Sequence, residues 1–175
     1  MRLQSEKIYL RAVESSDATR IMLWENNPSF WHVSETEIPF SLHDIHHFIE
    51  NSQHFRQTGQ LRLIICLNEN DLPVGCVDFY DADFKHRRAG IGILIAEPEN
   101  KEKGYASEAI RLLAKYGRDV FDFQQIYAMI SVSNEPSLRL FEACGFEKSG
   151  VLKSWRKTGK NREDIAFYQL ILEEL

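Results

Sequence analysis

The chain of 175 residues is short of cysteine, of long apolar runs and of positive charge, and each shortage closes off a class of protein. Cys66, Cys76 and Cys144 are odd in number and show no C-x-x-C spacing, which argues against a disulfide framework and a zinc knuckle. They read instead as small buried hydrophobes. No stretch approaches the ~20 apolar residues of a membrane span. The opening Met1-Arg2-Leu3-Gln4-Ser5-Glu6-Lys7 carries no apolar core of a signal peptide. A soluble, cytoplasmic protein with no membrane partner is therefore expected. Against 26 Asp and Glu stand only 21 Lys and Arg, a formal net charge of −5. That balance disfavours nucleic acid, whose phosphates need a basic face, and it tolerates a cationic small substrate. His43 and His47 lie four apart on one helical face, but no third ligand stands at a completing distance, so no metal is expected.

What is present is ordinary globular material. Hydrophobic residues at 43% and charged residues at 27% fit one folded domain, taken as 1–175. Ile8 to Arg11 reads as a short strand, and Ser15-Ser16-Asp17 as the cap of a helix running to about Asn26. Ser41 opens a second helix with Leu42, Ile45, Phe48 and Ile49 at helical spacing. Leu61–Leu67, Pro73–Tyr80 and Arg87–Ile95 form an antiparallel meander, the last two joined through a turn at Asp81-Ala82-Asp83. Ala106, Ala109, Ile110, Leu113, Tyr116, Gly117 and Val120 then mark one long amphipathic helix. Gln125–Val132 is a strand, Pro136–Cys144 a short helix stopped by Gly145, and Phe146–Leu152 and Asp164–Leu172 a final strand pair. The order predicts an α+β layered domain.

The chemistry concentrates where the third meander strand meets the long helix, in Ile91 to Ser107. The first turn of a helix exposes unpaired N–H groups and the positive end of its dipole, which together attract phosphate. Gly104 allows close backbone approach, and Lys101 and Lys103 add positive charge. A single glycine before a helix is also what an ordinary tight turn looks like.

The neighbouring residues extend the pattern. Lys101-Glu102-Lys103-Gly104-Tyr105-Ala106 resembles motif A of the GNAT superfamily of N-acetyltransferases, [QR]-x-x-G-x-[GA], with Lys101 in place of Gln or Arg and Glu102 where many members have glycine. Asn134 to Phe146 is similar to motif B, N-x-x-[SA]-x-x-[LI]-[YF]-x-x-x-G-F. Leu10-Arg11-Ala12 followed by Asp17, the Arg87-Arg88-Ala89 entry and the Gly159 to Asp164 loop resemble the RimJ/RimL-like branch close to spermidine N-acetyltransferases. The resemblance implies the GNAT fold, α+β with a mixed, mostly antiparallel central sheet of about seven strands and about four flanking helices. It also implies acetyl-CoA as cosubstrate and transfer of acetyl to a primary amine by direct attack.

Residue by residue, the resemblance assigns the backbone of Ile93, Leu94 and Ile95 to the pantetheine arm, whose amides need partners once out of water. Lys101, Glu102, Lys103, Gly104, Tyr105 and Ala106 would cradle the diphosphate, and Asn134 and Ser137 would hold the arm. The family's usual general acid is a motif B tyrosine; here Phe141 stands there and packs, leaving water or Tyr127 as the donor. Gly90 replaces a Glu that some relatives carry, so the candidate base is Asp78 acting through water, while Asp81, Asp83 and His86 cap a turn. Trp31, Glu35 and Glu37, in the aromatic and acidic stretch from Trp31 to Phe40, are candidate acceptor contacts. The acceptor is a small-molecule amine (a polyamine such as spermidine or an aminoglycoside-like amine) or a protein N-terminus. Homo-oligomerisation is compatible with this reading. A CoA-binding sensor or scaffold without catalysis is the alternative that Phe141, Gly90 and Glu102 favour.

Overall fold

A computed structural model describes residues 3–30, 38–52 and 54–172. The strands are β1 (Leu3–Gln4), β2 (Ile8–Ala12), β3 (Leu61–Leu67), β4 (Pro73–Asp83), β5 (Arg88–Ile95), β6 (Gln125–Ser131), β7 (Glu147–Thr158) and β8 (Asn161–Ile171). The helices among the described residues are α1 (Ala18–Glu25), α2 (Leu42–Asn51), α3 (Phe55–Thr58), α4 (Tyr105–Phe121) and α5 (Glu135–Ala143). The strands form one 8-stranded sheet in the order β1-β2-β3-β4-β5-β6-β8-β7. Every pairing is antiparallel except β5 with β6. The α+β expectation stands, with eight strands rather than about seven: the two-residue β1 is too short to leave a hydrophobic period in the sequence.

Local signals account for most boundaries. Ser41 and Asp44 form a reciprocal capping box, Ser41 Oγ accepting from Asp44 N at 3.1 Å and Asp44 Oδ2 accepting from Ser41 N at 2.9 Å. Ahead of α1, the 3-10 turn over Ser15–Asp17 is closed by Asp17, whose side chain is almost wholly buried and does not cap α1 itself: Oδ2 accepts from Glu14 N at 2.9 Å, and both oxygens accept from Arg11 at 2.7 and 2.8 Å. One correction concerns Asp81-Ala82-Asp83, expected as a turn. These residues belong to β4, which bulges between Tyr80 and Asp83 with Asp81 at φ 47°, and the chain reverses only over residues 84–87. Asp83 does cap that reversal, accepting from His86 N at 2.9 Å.

The two sheet faces carry separate cores. On one, Ala109, Ile110 and Leu113 of α4 pack over Val77, Phe79, Ala89, Ile91 and Ile126. On the other, Ile21 and Trp24 of α1 with Ile45 and Ile49 of α2 cover Ile64, Cys66 and Cys76. All three cysteines are free and buried, and burial pushes the Cys76 thiol up to about 12. Among the described residues, no helix is long and apolar enough to cross a membrane.

Candidate functional site

The parallel pairing of β5 with β6 lasts for three registers, Arg88↔Gln125, Ala89↔Ile126 and Gly90↔Tyr127, and then stops. Past Gly90 the two strands diverge. β5 stays bonded to β4 on its other side, through Ile93↔Val77, Leu94↔Cys76 and Ile95↔Gly75, and β6 stays bonded to β8 as far as Ser131↔Ile165. The facing edges therefore keep backbone donors and acceptors that no strand satisfies, a ready partner for an extended chain carrying amides.

That split opens into a cleft. A cavity of about 610 Å³ is lined by Ile93, Leu94 and Ile95 along β5, by Lys101, Glu102, Gly104, Tyr105, Ala106 and Ser107 at the start of α4, and by Asn134, Pro136, Ser137 and Leu140 of α5. Its size suits a cofactor-sized ligand, since such sites run to ~300–1,000 Å³. A smaller cavity of about 140 Å³ continues deeper into the split, lined by Ile91, Gly92, Met129, Phe141 and Arg156 among others.

The wide end is an anion cradle made of backbone. Gly104 takes φ 87° and α4 begins at once, with no side chain capping it. The first amide to bond back is Glu108 N, to Gly104 O at 3.1 Å, so the N–H groups of Tyr105, Ala106 and Ser107 point out of the helix end. A side chain at position 104 would be strained by the left-handed backbone. Glu108 does not oppose an anion there: Ser5 Oγ and Lys7 N hold its carboxylate on the β1–β2 side, at 2.5 and 3.1 Å. Lys7 Nζ bonds Lys103 O at 3.1 Å, and Lys101 Nζ lies 5.5 Å from the centre of the Phe30 ring. Both ammonium groups thus stand beside the cradle. Glu102 takes φ 60° and is exposed. The fit to a diphosphate bearing a pantetheine arm rests on these features: an uncapped helix end, a glycine in the left-handed region, two lysines and an unpaired strand edge.

Asn134 caps α5, its side chain accepting from Ser137 N at 3.2 Å, so its oxygen is engaged and its amide nitrogen is what it offers the cleft. Phe141 is buried, edge-on to Phe146 at 5.0 Å, and lines the deep cavity as a packing group. Tyr127 sits at the apex of the split, half-buried. Burial first, then the charge of Asp81, push its hydroxyl above the ordinary phenol range, so it stays protonated at neutral pH. Asp78 is opposite Gly92 in the sheet. Both of its oxygens accept from Arg62 at 2.8 Å, and Arg62 also donates to Glu25 at 2.5 Å. The carboxylate is held rigidly beside the split, with Arg62 occupying its strongest hydrogen-bonding directions. Trp31, Glu35 and Glu37 lie outside the described residues.

Several lining groups carry no local sequence signal. Ser29 and Phe30, from the segment after α1, close the wide cavity, and Arg156 of β7 reaches the deep one. Asn100, buried in the cavity wall, adjoins the Lys101–Ala106 stretch and was within reach of a wider motif window. Cys144 is buried, and burial raises its thiol despite the nearby Arg111.

Residues 7–147 match the acetyltransferase (GNAT) domain family. The chain is 26% identical over 173 residues to the uncharacterized N-acetyltransferase p20 of Bacillus licheniformis, covering 98% of this chain and 97% of that one. It is 27% identical over 151 residues to the spermidine N(1)-acetyltransferase of Vibrio cholerae, covering 85% and 83%. In fold it resembles the crystal structure of spermidine N-acetyltransferase from Vibrio cholerae in complex with CoA and spermine, with a TM-score of 0.85, 23% identity and coverage of 95% and 96%.

Proposed function

The chain belongs to the GNAT acetyltransferase family, and from that premise we propose that it moves the acetyl group of acetyl-CoA onto a primary amine of a small molecule by direct attack. It is an N-acetyltransferase with spermidine N-acetyltransferases among its homologues. The observation that carries the reading is the split between β5 and β6 opening onto the uncapped start of α4. Acetyl-CoA, when bound, supplies an acyl group already activated as a thioester.

The chain's own residues do the rest. The amides of Tyr105, Ala106 and Ser107 and the ammonium groups of Lys101 and Lys7 receive the diphosphate. The free edge of β5 from Ile93 to Ile95 aligns the arm as an added strand would, and the Asn134 amide and Ser137 hold it from the other side. Phe141 and Ile91 give the deep cavity its apolar wall. With Phe141 unable to donate a proton, Tyr127, paired with Gly90 at the apex, is the candidate acid. Asp78, fixed by Arg62, is the candidate to receive the amine's proton through water.

A thiol-release assay with acetyl-CoA and a panel of amines tests this. The panel includes spermidine, an arylalkylamine, an aminoglycoside and a peptide with a free N-terminus. Amine-dependent release that yields the N-acetyl product is expected, with small amines preferred over the peptide. Tight CoA binding with no amine-dependent release would instead leave a CoA-binding module.

A further inference from the structure

The face of the sheet away from α4 carries an unusual arrangement at the apex of the split. Tyr80 of β4 is the cross-strand partner of Gly90, and its ring lies against that glycine. A Cβ at position 90 would stand 2.3 Å from Tyr80 Cε2 and 2.4 Å from Cζ. The absence of a side chain at 90 and the presence of a tyrosine at 80 are thus one feature, for the ring occupies the space that a longer residue 90 would fill. Two residues on, Gly92 leaves that face open, its Cβ position 4.0 Å from the edge of the Tyr80 ring, and Gly92 also lines the deep cavity.

The ring does not stand alone. Tyr80 meets Tyr127 edge-on, with centroids 5.9 Å apart and planes at 85°. Tyr127 stacks on Phe167 at 5.1 Å and 17°. All three are half-buried. They come from β4, β6 and β8, and they bracket the last paired register of β5 and β6, Gly90↔Tyr127. The cleft runs from the α4 end through the deep cavity to Gly92, the lining residue that adjoins the Tyr80 ring.

We propose that Tyr80, Tyr127 and Phe167 form an aromatic wall that receives the carbon body of the acceptor, and that the preferred acceptor is a primary amine carried on an aryl or other bulky apolar group. This rests on the amine acetyltransferase reading above and narrows its substrate class. The chemistry favours an apolar body over a polycation. Half-buried aromatic rings gain when another ring or alkyl group covers the surface they still show. Tyr80 is a specificity-determining residue in this scheme, and Gly90 is what makes room for it.

The test is a calorimetric titration of 2-phenylethylamine and of n-butylamine into protein saturated with CoA, a readout that needs no turnover. Wild type is expected to bind the aryl amine roughly tenfold more tightly than the alkyl amine, the gain of one good ring contact. Tyr80→Ala and Phe167→Ala each erase that preference while CoA affinity stays within twofold, and Tyr80→Phe retains it. Gly90→Ala displaces the ring and behaves like Tyr80→Ala, whereas the double variant is no worse than Tyr80→Ala alone, because the clash has nothing left to hit. Equal binding of the two amines by wild type, no binding of either, or additive losses in the double variant would each overturn the wall. Ring-dependent aryl amine binding without any thiol release from acetyl-CoA would keep the wall and refute acetyl transfer.

Discussion

The wide end of the cleft, proposed above for CoA, draws most of its lining from short segments, residues 93–95, 100–107 and 134–140, whereas the region around the apex of the split gathers Glu25, Arg62, Asp78, Tyr80, Tyr127 and Phe167 from α1, β3, β4, β6 and β8. The first end works through main-chain N–H groups, a glycine in the left-handed region and a helix start. Those properties depend on local conformation, and a short motif specifies local conformation completely. The second end works through side chains that meet only when the sheet pairs, so no window of sequence contains it. On the proposed reading, recognition of the cosubstrate rests on a few short segments and that of the acceptor on scattered positions.

The largest test of that division is Arg62→Met. Arg62 joins Asp78 to Glu25, and the side chains of all three are at most 17% exposed. Removing the guanidinium leaves two carboxylates facing one another in a poorly hydrated place, a loss of about 3–5 kcal/mol by analogy with other broken buried pairs. Urea unfolding measures it. CoA affinity of the folded protein should not move, since Arg62 lies away from α4; a drop in CoA affinity comparable to the stability loss would show that the two ends are not separable. Next in size is Gly104→Val, which puts a β-branched residue at φ 87° and a side chain in front of the anion cradle. Strain of this kind costs ~1–3 kcal/mol, and CoA affinity by calorimetry should fall by more than ~1 kcal/mol with the domain still folded. Unchanged binding would remove the diphosphate from that turn.

How far the sequence discloses the molecule follows the same line. The α4 start and the helix beginning at Ser41 are local devices, visible as a motif and a capping residue, and the structure has them at those positions; that Asn134 of the second motif also caps α5 is the structure's addition. The turn expected at Asp81-Ala82-Asp83 was misplaced for a physical reason. Aspartates are ordinary turn residues, but here β4 continues through a bulge because Asp83 pairs with Arg88 and only then caps the reversal. β1 and α3 are too short for periodicity to register. Gly90 was legible as a departure from a family pattern, but its cause was not: the Tyr80 ring that fills its space is ten residues away and reaches it only across a paired strand. Phe30 and Arg156 entered the cleft for the same reason, through tertiary placement.

The smallest effect separates position from chemistry within the deep cavity. Phe141 occupies the place of the family's usual tyrosine, buried to within a few per cent and edge-on to Phe146, yet its ring also borders the cavity between β5 and β6. Phe141→Tyr adds one hydroxyl. If that hydroxyl enters the cavity, it finds space there and the melting temperature stays within a few degrees, the shift expected for under ~1 kcal/mol in a domain of this size. Turnover should then be preserved or modestly raised, because a thiol with an ordinary pKa near ~8.5 departs tolerably without a donor and general acid help is worth up to ~10²–10⁴-fold only where departure is limiting. The pH profile distinguishes the two cases: a donor that matters adds a fall in rate at high pH, where its hydroxyl ionises, and a spectator leaves the profile unchanged. A large loss of stability would mean that the ring fills its site with no room at the para position. In that event Phe141 is retained for packing, the cavity wall on the α5 side is closed to proton transfer, and Tyr127, at the seam between the two ends of the cleft, is left as the donor.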